Sequence, residues 1–427
     1  MKHIQRKTER RIAAALRLAL VAVLLLLQIA LVIALTQVLR QKMYIGYSVL
    51  EIIAVLCVVR IYMRSGSSTY KPGWIVLIML VPVVGLILYF LWNGNQVKKK
   101  LDLKPIPMPP ETEEVKRRSE SAQENLSARW PRWGRLAAYL RRQDMPLFEN
   151  TDMTYFPTGE EYLEDLLERM KTARRFIFLE YYIASEGEIW DRICTVLTER
   201  AAAGVEVNLI LDDFGSMMTM PPEEISALRK RGVWVQMFNP VHRYVNRLYF
   251  NYRDHRKIAV IDGDIAYTGG ANLADEYANL IVRFGYWKDC GIRLEGEGAW
   301  GLTRQFMYLW LRMGGELRES WDSYRPRTSP EGGEFCQPLV DGPDNNPVNT
   351  AEDTFQQLIS NANHYIWITT PYLAIDEPMI RTLCIAADSG VDVRLMLPGI
   401  PDHKFAYMVA LSYFGELLEH DVKIFTY

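Results

Sequence analysis

Hydrophobic positions along the chain fall into three regimes. Residues 18–35 are apolar at every position but Gln28, residues 43–59 are apolar around Glu51, and residues 74–92 are apolar around Pro82 and Gly85. A run of about 18 apolar residues is long enough to span a bilayer as a helix, so residues 1–100 are expected to form a membrane region with two or three transmembrane helices. A cleaved signal peptide competes for the first run, but that run exceeds a usual apolar core, and the following TQVLRQK offers no small-residue cleavage site. Residues 101–146 are Pro-rich and then charged, which reads as a linker leading into a short surface helix, with MPPETEEVKRR a solvated segment.

In the third regime short apolar strands follow helical patterns, and they do so twice. ARRFIFLE (173–180) matches ANHYIWIT (362–369), AAAGVEVNLIL (201–211) matches ADSGVDVRLML (387–397), and RGVWVQMF (231–238) matches HDVKIFTY (420–427). The first pair runs into aromatic-bearing strand ends, EYYI and PYL. Helix followed by strand, repeated in the same order, predicts an α/β architecture of two tandem lobes with mixed sheets, one over 147–330 and one over 331–427. Between the copies, residues 257–261 and 265–268 flank Asp262-Gly263, a hairpin-turn dipeptide.

Charge changes the picture. Residues 1–100 carry 14 Lys+Arg against Glu9 and Glu51, which leaves 35 basic and 49 acidic groups, a net of −14, in the rest of the chain. An acidic soluble part makes a poor polyanion binder, so nucleic acid is not an expected partner. The five cysteines show no CxxC spacing and suggest neither a zinc site nor a disulfide framework.

The hairpin carries the candidate chemistry. His255 and Lys257 stand two apart on an extended segment and therefore face the same way, bringing an imidazole and an ammonium to one small volume. That pairing suits phosphoryl transfer, with the imidazole attacking phosphorus and the ammonium neutralising charge on the non-bridging oxygens. Gly269 and Gly270 would let backbone approach a phosphate, and the Asn272 amide could donate to it. Alternation puts Arg256 on the opposite face, and for Glu180, Asp212, Asp213 and Glu276 structural pairing is the expectation. No ligand-spaced partners accompany His255, so neither a metal nor another cofactor is implied. The segment around Arg243 and Arg247 mixes aromatic and basic residues; core packing of the aromatics is expected, with contact to lipid headgroups the alternative.

The stretch 249–276 resembles the HKD signature of the phospholipase D superfamily: His255, Lys257 and Asp262 make HxKxxxxD, and HRKIAVIDG followed by YTGGANLADEY is similar to the first such motif of bacterial cardiolipin synthases. The end of the membrane region, KPGWIVLIMLVPVVGLILYFLWNGN, is similar to their membrane hairpin. The resemblance implies a phosphatidyltransferase that makes cardiolipin and glycerol from two phosphatidylglycerol molecules through a phosphatidyl-histidine, with membrane phospholipids as partners. It also implies a bacterial inner-membrane location with the catalytic part cytoplasmic. It assigns the nucleophile to His255 and counts Asp262 as the third member of the motif, though a turn position suits local pairing better than proton transfer. Asp289, in YWKDCGIRLEG, matches the residue that in relatives hydrogen-bonds the nucleophilic histidine. A hydrolytic phospholipase D would share every motif. In the register of the repeat, the second copy reaches Tyr427 about 17 residues before its own motif position; His364, His403 and His420 lack HxK spacing. A chain that stops short of a second motif, or an inactive remnant, is therefore the remaining expectation.

Overall fold

The computed structural model describes residues 30, 44–63, 70–92, 103–241, 252–330, 332–342 and 349–427, in two units, 1–98 and 99–427. In the first unit, helices α1 (Tyr44–Met63), α2 (Tyr70–Leu80) and α3 (Pro82–Trp92) gather Ala54, Cys57, Ile61, Ile78, Leu86 and Tyr89 into a small core. Pro82 has no N–H and restricts Val81 before it, so the segment 74–92 is divided into two short helices. α1 carries Glu51 and Arg60. Among the described residues no helix is long and apolar enough to cross a membrane. The first expected span, 18–35, lies outside the described residues apart from Ala30, as does the segment around Arg243 and Arg247.

The second unit opens with α4 (Glu113–Arg129) and α5 (Pro131–Arg142), then continues β1 (Phe148–Phe156), α6 (Gly159–Lys171), β2 (Phe176–Tyr181), α7 (Glu188–Ala202) and β3 (Glu206–Asp212). A four-residue helix α8 (Asp213–Ser216), α9 (Pro222–Lys230), β4 (Trp234–Phe238), β5 (Ile258–Ile261), β6 (Ile265–Gly269), β7 (Gly291–Gly296), α10 (Ala299–Arg312) and β8 (Glu334–Cys336) complete the first lobe. The second lobe holds α11 (Thr350–Asn361), β9 (Tyr365–Thr369), α12 (Glu377–Asp388), β10 (Asp392–Leu397), α13 (Lys404–Glu419) and β11 (Lys423–Thr426).

The large sheet is mixed, in the order β4-β3-β2-β5-β6-β7-β1-β8; β2, β3 and β4 are parallel and every other pairing is antiparallel. β2 and β3 are buried at every position, which explains their near-continuous apolar sequence. Ile177, Leu179 and Tyr181 join α6 and α7 on one face; Phe176 and Phe178 join Phe306 and Trp310 of α10 on the other. The small sheet, β11-β10-β9, is all parallel. It reproduces β4-β3-β2 in order and direction, as the paired blocks lead one to expect.

The stretch read as a linker is largely helical. α4 and α5 bury Ala122, Leu126 and Ala137 against Leu147, and Arg132 of α5 reaches Asn363 of the second lobe at 2.6 Å. The reading of MPPETEEVKRR as solvated fails at Glu111. Its buried carboxylate binds Arg304 at 3.2 Å and Arg325 at 3.0 Å and accepts from the Trp300 indole at 3.1 Å. Buried charges persist when so paired, and no local pattern announces partners this distant in sequence.

Candidate functional site

The expected hairpin forms, with Ile261 paired to Ile265 across Asp262-Gly263-Asp264. β5 runs antiparallel to β2, and Ile258 pairs with Glu180. The segment 252–257 therefore enters beside the carboxyl ends of β2 and β3, the position where open α/β sheets place their ligands.

Asp212, at the end of β3, accepts from the backbone amides of Phe214 at 2.9 Å, Gly215 at 3.0 Å and Asp254 at 2.9 Å, and pairs with Arg253 at 3.3 Å. Burial pushes its pKa up to about 6, against the lowering pull of Arg253 and of the amides. Asp212 thus holds the backbone just before His255. Arg256 turns to the other face and pairs with Glu180 at 2.7 Å and Asp254 at 2.8 Å. Asp213 accepts from the Val241 amide and Glu276 pairs with Arg283, so all four of these carboxylates have structural partners.

His255 and Lys257 do converge. The Lys257 ammonium lies 3.0 Å from His255 Nδ1 and donates to the His255 carbonyl at 2.7 Å. The Tyr182 ring stands 4.5 Å from the imidazole and 5.7 Å from the ammonium. Lys257 is 5% exposed, whereas His255 as a residue is open to solvent although its ring nitrogens are partly desolvated. Desolvation first, and the Lys257 charge second, lower the imidazole pKa to about 4. Desolvation also lowers Lys257 to about 8, opposed by Asp289 and Asp254. At neutral pH the site thus holds a neutral, accessible imidazole beside a largely protonated amine.

The remaining expected residues have different placements. Asn272 is 2% exposed and spans two elements: its carbonyl accepts from the Ile183 amide at 3.0 Å, and its amide donates to the Tyr277 hydroxyl at 2.8 Å. It therefore clamps the strand end beside the site, with its donor turned to Tyr277. Gly270 is needed where a β-carbon would sit 2.3 Å from Asp289 Oδ1, so its bareness makes room for a carboxylate. Asp289 accepts from the Cys290 amide at 2.8 Å and the Trp287 indole at 3.2 Å, and no hydrogen bond joins it to His255. Its influence on the site is electrostatic, through Lys257, and burial raises its own pKa.

Asp262 stands at the opposite end of β5 from His255. Its carboxylate accepts from the amides of Arg174 at 2.9 Å, Arg175 at 2.7 Å and Phe176 at 3.0 Å, pinning the start of β2. It sits at φ 56°, a conformation that Asp tolerates. Three backbone amides on one carboxylate are the local pairing expected of a turn position. Asp262→Ala should lose about 2 kcal/mol of stability, since amides bonded to an ionised group lose their acceptor. Denaturant unfolding measures that loss, while activity per folded molecule stays within about threefold; a collapse of activity at unchanged stability would restore a role in the chemistry.

Sequence reasoning passed over Tyr182 and Trp287. The aromatic strand end EYYI was the signal for the first; nothing marks the second, which becomes meaningful only where Asp289 and Tyr277 meet it. Among the described residues no group of three His, Cys, Asp or Glu side chains is arranged to hold a metal ion.

Two family models match the chain: "Cardiolipin synthase, PLD-like domain" over residues 166–281 and 355–427, and "Phospholipase_D-nuclease N-terminal" over residues 52–93. An uncharacterized protein of Streptococcus mutans is 34% identical over 83% of this chain and 77% of its own length. The major cardiolipin synthase ClsA of Bacillus subtilis is 30% identical over 89% of this chain and 80% of its own. A cardiolipin synthase of Halalkalibacterium halodurans is 32% identical over 90% of this chain and 76% of its own.

Proposed function

Because the chain belongs to the cardiolipin synthase family of phospholipase D-like proteins, we propose that it is a phosphatidyltransferase that joins two phosphatidylglycerol molecules into cardiolipin and releases glycerol. The observation that carries this reading is the neutral, accessible imidazole of His255 held 3.0 Å from the Lys257 ammonium. His255 attacks the phosphorus of one lipid, forming a P–N bond as the bond to the headgroup glycerol breaks and that oxygen takes up a proton. A hydroxyl of the second lipid then forms a P–O bond and gives its proton to solvent, replacing the one taken up by the departing glycerol, while the P–N bond breaks and the histidine is regenerated.

Attack by Nε2 requires the ring proton on Nδ1. While Nδ1 accepts from Lys257, that proton resides on Nε2, so the lysine must release the ring before chemistry begins. A lipid phosphate is the stronger acceptor for the ammonium, and its arrival frees Nδ1 to be protonated. Asp289 is the carboxylate we assign to steady that proton, with Gly270 leaving room for it and Asn272 tying the loop 270–273 to the strand end beside the site. The exposed Ile52, Leu56, Tyr62, Val76 and Phe90 of the first unit support attachment to a membrane. We place that unit in the bacterial inner membrane, with the catalytic unit on the cytoplasmic side.

Product analysis on phosphatidylglycerol vesicles tests the reading. Cardiolipin and glycerol in equal amounts are expected. Phosphatidic acid as the sole lipid product would mean that water is the acceptor and that the protein is a hydrolase.

A further inference from the structure

The second lobe brings a polar cluster to the same region. After β9, the Tyr372 hydroxyl donates to Asp402 Oδ2, and Thr370 braces Tyr372 by accepting from its amide at 3.3 Å. The His403 ring lies 5.6 Å from the Tyr372 ring, with Nε2 4.0 Å from the Asp402 carboxylate. The Asp402 side chain is 17% exposed, and its Oδ1 has no partner among the described residues.

Packing sets this cluster beside the candidate site. Ile400 Cδ1 lies 3.4 Å from where a β-carbon on Gly285 would stand. The loop 398–403 therefore abuts the loop 279–287, whose Trp287 binds Asp289 and edges Tyr277 at 4.9 Å. Tyr372 is within electrostatic reach of Tyr182 and Tyr277, and Asp402 of Tyr277.

One side of this region thus offers a cation and an imidazole, and the other a carboxylate with an open oxygen. A phosphate is attracted to the first and repelled by the second. A neutral hydroxyl that donates a hydrogen bond suits Asp402 Oδ1, which no described residue engages. We propose that Asp402, oriented by Tyr372, is a positioning residue that binds a hydroxyl of a glycerol headgroup while the phosphate of that lipid lies toward Lys257. The inference rests on the lipid-transfer reading above and assigns headgroup choice to the second lobe.

The test uses the full chain with sub-micellar dihexanoyl lipids, following binding by calorimetry and, separately, labelling of His255 by the phosphatidyl group. Asp402→Asn should weaken dihexanoyl phosphatidylglycerol about tenfold and Tyr372→Phe about threefold, since one loses charge at the acceptor and the other only its orientation. Dihexanoyl phosphatidic acid, which has the phosphate without the glycerol headgroup, should bind all three proteins alike. Equal phosphatidylglycerol affinity in wild type and Asp402→Asn overturns the proposal, as does an equal loss for phosphatidic acid. Tighter binding of dihexanoyl phosphatidylcholine that Asp402→Asn abolishes also overturns it, by making the carboxylate an ammonium site. Failure of the transfer reading is separate: wild type would then acquire no label on His255, whatever Asp402 binds.

Discussion

His255→Ala is expected to abolish the proposed covalent phosphatidyl-enzyme and to lower cardiolipin formation by at least about 10⁴-fold, an effect of about 5.5 kcal/mol on the barrier. Among the described residues no other imidazole stands with an ammonium as His255 does with Lys257. The fold should tolerate the change. His255 is open to solvent, and among the described residues its polar side-chain partner is Lys257. Thermal unfolding within about 2 °C of wild type therefore separates a chemical loss from a structural one. Trapping labelled lipid on the wild-type chain and sequencing the modified peptide supplies the positive arm. Turnover that survives in the folded alanine variant would rule out the nucleophile.

His255 and Lys257 are legible in the sequence alone, and the reason is geometric. On an extended segment a spacing of two places side chains together, and Asp262-Gly263 announces the turn that ends the strand. The same period explains why Arg256 was correctly turned away, to Glu180. The strands β2, β3 and β4 are readable as strands because buried strands leave apolar runs, and the second copy repeats them; their order in the sheet comes from the fold. Long-range pairing was not readable. Glu111 reads as one acid among several solvated ones, and only the fold brings it to Arg325, 214 positions away. Asn272 has the composition of a phosphate donor, yet its amide faces Tyr277 because the loop 270–273 must be tied to the end of β2. Asp289 acts electrostatically on Lys257, but Trp287 and the Cys290 amide hold its oxygens. What escaped was thus the direction of side chains on loops, which alternation does not govern.

Lys257→Met carries the second large effect, and its signature is in the pH profile. Wild-type activity should be bounded on the acid side by His255 near pH 4 and on the alkaline side by Lys257 near pH 8. The signs follow from the forms required: the imidazole must be neutral, so activity falls as pH drops through about 4, and the amine must be charged, so activity falls as pH rises through about 8. Removing the ammonium from a poorly hydrated position beside the phosphate should cost about 10²- to 10³-fold in kcat, the scale of losing one preorganised charge-stabilising donor. The alkaline limb at about pH 8 should vanish, because its titrating group is gone. The acid limb should move upward from about 4 while staying below the ordinary histidine value of 6.5, since desolvation, the larger cause of the depression, remains. The same shift bears on stability: between pH 6.5 and 4 the unfolded chain protonates this histidine and the folded one does not. Native stability from this group is therefore intact above pH 6.5 and erodes as the pH falls, less so in Lys257→Met. Proton NMR titration of the His255 ring in both proteins measures the midpoints directly. An unchanged midpoint in the methionine variant would mean that the lysine does not act on the imidazole, and an alkaline limb persisting at pH 8 would assign that limb to another group.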